Sequence, residues 1–234
     1  MGTLYLIPTP LGKGHANHGM PEYTLQKVRQ IRQFIVENQS SALGFLRWVQ
    51  HPVPDFERIH RIVNKKTPDH EVFSLVELLK HGDVGLFSET GAPAVADPGS
   101  MYVRFAHDMG YNVVPLPGPS SILLALMASG MNGQHFEFHG YVPVDQDKRK
   151  ESVRKLEQES RQHLKTQIWI ETPHRTGVLL EDTIKVCQSD TRLAVAASLT
   201  TPDEMVISKK ISDWSSRDKL TVEGKPAVFL LQAV

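Results

Sequence analysis

Strand-length apolar runs alternate with amphipathic stretches along this chain, and that alternation limits the folds open to it more than any other feature. The opening run Thr3-Leu4-Tyr5-Leu6-Ile7 halts at Pro8-Thr9-Pro10-Leu11-Gly12, where two prolines cannot continue a ladder. Leu25, Val28, Ile31 and Ile35 recur at helical spacing, while Phe34-Ile35-Val36 reads equally as the next strand. A helix fits Ala42 to Val49, and Ile59 to Val63 reads as a third strand. Val72, Leu75, Val76 and Leu79 make an apolar helical stripe that ends at Gly82, before the strand Val84-Gly85-Leu86-Phe87. Asp97-Pro98-Gly99 is expected to open a further helix with Pro98 at its first position, and Gly110 ends it before the strand Asn112 to Leu116. Strands separated by helices in this way form a parallel sheet covered on both faces.

Three prolines within Pro115-Leu116-Pro117-Gly118-Pro119 mark a hinge, so the sequence divides into α/β domains at 1–116 and 117–234. The second half reads as helix Ser120 to Ser129, strand His135 to Tyr141, a charged helix near Asp147 to Leu164, strand Gln167 to Ile170 and a helix from Arg175. Three more strands follow, and Glu204 to Asp213 and Pro226 to Ala233 resemble the antiparallel members of a mixed sheet. On the charged helix, Val153, Leu156 and Leu164 mark the buried side, and its many lysines and arginines read first as a solvated face.

Twenty-six Lys+Arg balance twenty-six Asp+Glu over 234 residues, so no global positive field exists to hold a phosphate backbone or an anionic membrane. The longest apolar run, Ile122 to Ala128, is far shorter than the ~18 to 20 residues that cross a bilayer, and no secretory signal opens the chain. A cytoplasmic protein is expected. The single cysteine, Cys187, follows an apolar stripe and reads as a small buried hydrophobe. His15 and His18 lack a third ligand at a recognisable spacing, so no metal is assigned.

Irregular segments at Pro8 to Gly12, Ser88 to Gly99 and Pro115 to Ser121 fall at the C-terminal ends of expected parallel strands, the edge where open α/β sheets bind ligands. Glycines at 91, 99 and 118 allow close backbone approach, and Ser120-Ser121 offer hydroxyls and N–H groups at a helix start. These loops read either as a small-molecule site built mainly from backbone or as ordinary strand-to-helix turns.

The same segments carry a resemblance. Pro8-Thr9-Pro10-Leu11-Gly12, then Ser88 to Gly99 (Ser-Glu-Thr-Gly-Ala-Pro-Ala-Val-Ala-Asp-Pro-Gly), then Pro115 to Ser121 resemble, in order and spacing, successive motifs of the tetrapyrrole methylase superfamily. Glu171-Thr172-Pro173-His174-Arg175 further resembles the Glu-Ser-Pro-His-Arg signature of its bacterial branch that methylates a cytidine ribose 2′-oxygen in small-subunit ribosomal RNA. The resemblance implies two α/β domains with a cleft between them, an N-terminal parallel and a C-terminal mixed sheet, a homodimer, and S-adenosylmethionine as methyl donor. By motif it implies cofactor contacts at Pro10, Leu11, Ala92, Val95, Gly118, Ser120, Ser121, Thr172, Ala197 and Pro226.

Where the ribosomal branch has Asn after the first glycine, this chain has Lys13, and Val36-Glu37-Asn38-Gln39-Ser40 replaces an Ala-Glu-Asp-Thr-Arg motif. Glu89-Thr90 stands for Asp-Ala, and Ala197-Ser198-Leu199-Thr200-Thr201 for Arg-Glu-Leu-Thr-Lys. The cofactor motifs persist while charged groups able to hold phosphate or polarise a hydroxyl are lost. The expectation is a methyltransferase with an unidentified acceptor: ribose of ribosomal RNA, a tetrapyrrole or another small molecule, or else a homologue that binds the cofactor without catalysis. No catalytic residue is assigned. Glu37, Glu89, His174 and Arg175 are the substrate-side candidates, with Arg175 able either to meet substrate or to pair with a carboxylate between domains.

Overall fold

The structure is a computed structural model that describes residues 2–12, 19–54, 59–62 and 76–233, the side chains of 59–62 excepted. The chain forms two compact units, Met1–Ser120 and Ser121–Val234, and the division falls at the end of the proline-rich run.

In the N-terminal unit the strands are β1 (Thr3–Leu6), β2 (Gln33–Val36), β3 (Ile59–Ile62), β4 (Val84–Phe87) and β5 (Asn112–Pro115), with helices α1 (Glu22–Gln30), α2 (Gln39–Trp48) and α3 (Ser100–Asp108). They form one parallel sheet in the order β3-β2-β4-β1-β5. Side chains alternate between two cores, as a sheet covered on both faces requires. Ile7, Phe34, Val36 and Phe87 pack with Leu25, Val28 and Phe45 in one core, while Leu4, Ile35, Val84 and Leu86 pack with Leu79, Tyr102 and Ala106 in the other. Pro115 is tolerated because β5 is an edge strand.

The ambiguity at Phe34-Ile35-Val36 resolves as strand: α1 ends at Gln30 and the backbone is already extended at Ile31. Most of the Val72 to Leu79 stripe lies outside the described residues, and its described end, Glu77–Lys80, is a 3₁₀ turn. Pro98 is not the first residue of α3. The cap is Gly99, because the Asp97 side chain takes the Gly99 N–H and keeps Pro98 in the preceding turn.

The C-terminal unit holds α4 (Ser121–Ser129), β6 (Phe136–Tyr141), α5 (Gln146–His163), β7 (Thr166–Glu171), α6 (Thr176–Val186), β8 (Arg192–Ala197), β9 (Met205–Lys210), α7 (Ser216–Val222) and β10 (Ala227–Gln232). Its sheet runs β6-β7-β10-β8-β9, with β6 parallel to β7 and the other neighbours antiparallel. Trp169 and Phe229, both fully buried, stack at the centre with ring centroids 5.9 Å apart.

Two expectations for α5 need correction. Leu164 is 58% exposed, since it is the left-handed C-cap (φ 51°) and lies beyond the helical stripe, whereas Val153 and Leu156 are buried as expected. The helix is also not a wholly solvated charged face: Arg149 is buried and donates to Asp182 Oδ2 from Nε (2.9 Å) and Nη2 (2.6 Å). Burial pushes the Asp182 carboxyl up, but hydrogen bonds from Arg149 and Gln146 outweigh it and hold the group below its usual range. Cys187 packs against the core of this unit, and burial pushes its thiol upward, away from reactivity. Among the described residues no helix is long and apolar enough to cross a membrane.

Candidate functional site

β1 lies between β4 and β5, so the segments leaving those three strands are neighbours at the C-terminal edge of the parallel sheet. The first and second are joined by an antiparallel bridge, Thr9 N–H to Gly91 O (3.0 Å) and Gly91 N–H to Thr9 O (3.1 Å). Gly91 has φ +75°, a torsion that favours glycine, and a Cβ there would fit only tightly, 3.0 Å from Leu11 Cδ2. The third segment packs against the first: a Cβ on Gly118 would lie 2.5 Å from Pro8 Cβ. The three segments that the sequence singled out thus form one loop cluster.

Within it, Pro10, Leu11 and Ala92 are half-buried and Val95 is 47% exposed, so the cluster leaves apolar side chains accessible. Ser120 and Ser121 are half-buried where the chain enters α4. Glu37 and Glu89 come together because β2 and β4 are adjacent. Glu37 Oε2 accepts the Glu89 N–H (3.3 Å), and Ser41 Oγ donates to Glu89 Oε1 (3.5 Å). Glu37 is therefore engaged with loop backbone rather than standing clear as a base.

In the C-terminal unit, Thr172, Ala197 and Pro226 gather at one end of the mixed sheet. Ala227 is in register with both Glu171 and Ala197, and Ser198 N–H donates to Pro226 O (3.0 Å). Buried Glu171 organises this end, its Oε1 accepting from Thr172 N (2.7 Å) and Oγ1 (3.2 Å) while its Oε2 pairs with Arg175 Nη2 (3.0 Å). Arg175 also donates to the carbonyls of Val142 and Pro143. Its carboxylate partner is thus in its own unit, whereas one of the two alternatives places that partner across the domains. His174 is exposed beside it.

Of the six non-glycine residues with positive φ among the described residues, four fall in segments already singled out: Ala94 (65°), Ala96 (61°), Ser198 (50°) and Thr200 (65°). Such strain persists only where the surroundings over-determine it, and it collects at binding sites.

Residues 25–214 match the family of tetrapyrrole (corrin/porphyrin) methylases. The chain belongs to this family. It is 30% identical to the ribosomal RNA small subunit methyltransferase I of Bacillus subtilis (strain 168), over 95% of this chain and 73% of that protein. It is 29% identical to the protein of that name from Haemophilus influenzae, over 96% and 80% respectively. Among solved structures it is similar to the methyltransferase CobJ (TM-score 0.64, 14% identity, 100% of this chain and 95% of that one). It is also similar to the uroporphyrin-III-C-methyltransferase of Thermus thermophilus (TM-score 0.53, 18% identity, 99% and 92%). At these identities the structures establish the fold: an α/β methylase fold with one parallel and one mixed sheet. Family membership makes the chain a methyltransferase.

Sequence reasoning missed Thr9, Asp97 and Glu171. Asp97 was legible in kind, since Asp followed by Pro-Gly is an Asx-turn signal, but it read only as a helix opening. Glu171 stands in the Glu-Thr-Pro-His-Arg motif, but nothing in the sequence marks that its work is to hold its own neighbours. Lys13, His15 and His18 lie outside the described residues.

Proposed function

We propose that this methyltransferase takes its methyl group from S-adenosylmethionine, held against the loop cluster of the N-terminal unit. The observation that carries this is the joining of three loops through Thr9–Gly91 and Pro8–Gly118 at the C-terminal edge of the parallel sheet. Loops joined through backbone that leave Pro10, Leu11, Ala92 and Val95 accessible suit a donor whose positive sulfur needs no anchoring anion. Ser120 and Ser121 supply hydroxyl and N–H groups for the donor's polar end. Thr172, Ala197 and Pro226 are the further contacts that family resemblance assigns in the C-terminal unit, where Glu171 sets the position of Thr172.

The donor supplies a sulfonium-activated methyl group, so the protein's contribution is alignment of the acceptor in line at near-attack distance. An acceptor hydroxyl gains from a nearby carboxylate that draws off its proton. Glu89 and Glu37 are the substrate-side candidates among the carboxylates at the loop cluster, and Glu89 is the more exposed.

The names of the sequence relatives favour a ribosomal RNA acceptor. A second reading, an uncharged or cationic small acceptor, is favoured by the internal pairing of Arg175 and by the Glu37–Glu89 carboxylates beside the loops. A labelled-methyl assay on extracts of a deletion strain, fractionated into RNA, protein and small molecules, separates them. Label confined to RNA supports the first and sinks the second; label confined to small molecules does the reverse. A homodimer completes the proposal. Sedimentation should give about twice 26.2 kDa, and a dilution-independent 26.2 kDa would contradict it.

A further inference from the structure

The second loop enters at Glu89 and leaves at Gly99, and between them Ala94 and Ala96 both take left-handed backbone angles that alanine disfavours. Something must hold them there. The Thr9–Gly91 bridge and the Glu37 contact to the Glu89 N–H pin the entrance only. One atom ties the middle of the loop to its exit. Asp97 Oδ1 accepts the Ala94 N–H at 2.8 Å and the Gly99 N–H at 2.7 Å.

We propose that Asp97 is a positioning residue for the methyl-donor site, locking the loop in the conformation that presents Ala92 and Val95. This rests on the reading that those residues border the donor. Without the clamp, Ala94 and Gly99 lose their acceptor and the strained turn relaxes toward ordinary angles. The binding-competent loop is then only a fraction of the population, and apparent affinity falls by that fraction. The clamp needs an oxygen acceptor, not a charge. Burial pushes the Asp97 carboxyl up, against the pull of the Gly99 and Ala94 N–H groups and the Ser88 hydroxyl. An amide at this position keeps the double acceptor and removes the cost of burying a charge.

Gly99 offers an independent way to break the same contact. A Cβ there would lie 2.8 Å from Asp97 Oδ1 and 3.1 Å from Ala94 N, wedging the clamp open although the glycine needs no unusual torsion.

The test is calorimetric titration of the full chain with S-adenosylmethionine and with its demethylated product, alongside melting temperature without ligand. Asp97→Ala should weaken both ligands by roughly ten-fold or more, Gly99→Ala should weaken them in parallel, and Asp97→Asn should stay within about two-fold of the wild type. The proposal is overturned if folded Asp97→Ala or Gly99→Ala protein binds like the wild type, or if Asp97→Asn binds as poorly as Asp97→Ala. Should Asp97→Ala not fold, Gly99→Ala and Asp97→Asn decide the matter between them. A wild type that binds neither ligand refutes the donor assignment instead, so the two failures are distinct.

Discussion

At Gly118 the constraint is contact rather than torsion. Its missing Cβ would sit 2.5 Å from Pro8 Cβ and 2.8 Å from Pro8 Cγ, so any side chain there pushes the third loop off the first. Gly118→Ala should therefore cost stability by about 1–3 kcal/mol, the range for overpacking, and lose donor affinity as a consequence. Ser120→Ala should behave in the opposite way, leaving the melting temperature alone and weakening S-adenosylmethionine by roughly five-fold, equivalent to one hydrogen bond of about 1 kcal/mol. Denaturant unfolding and calorimetry on both variants check the split. A Gly118→Ala protein as stable as wild type would remove the Pro8 contact from the account.

Among the elements, α7 shows how stability can rest on polar groups that leave little trace in a pattern of hydrophobicity. Its start is a capping box in which Asp218 Oδ2 accepts from Ser215 N (2.8 Å) and Oγ (2.6 Å) and from Lys209 Nζ (2.7 Å). The Lys209 and Ser215 bonds hold the Asp218 carboxyl down at about 2. An unfolded Asp titrates near ~3.9, so the stabilisation is complete above that and is lost as pH falls through about 2. The stability gap between wild type and Asp218→Asn should therefore be widest near neutrality and narrow steadily below about pH 4; a gap unchanged down to pH 3 would contradict the pairing. Strands β1, β4 and β5 and the loops leaving them were legible because apolar runs bounded by Pro and Gly have few alternatives. By contrast α7 escaped notice because its only buried residue is Val222, which gives no periodicity to read. The burial of Arg149 was illegible for a related reason: its partner Asp182 is 33 residues away, on another helix. Nor does spacing reveal that Thr9 and Gly91 bridge the two loops, or that Arg175 turns inward to Glu171. Such pairings are set by tertiary contact, and the strained angles at Ala94 and Ala96 contradict local preference outright.

For the molecule as a whole, the central claim is the proposal that the joined loops at the edge of the parallel sheet hold a methyl donor. Its most direct test is titration of the purified chain with S-adenosylmethionine, with its demethylated product and with a mononucleotide as control. Saturable binding of the first two, each tighter than the mononucleotide, is the predicted result. No binding of either at millimolar concentration, or tighter binding of the mononucleotide, would contradict it.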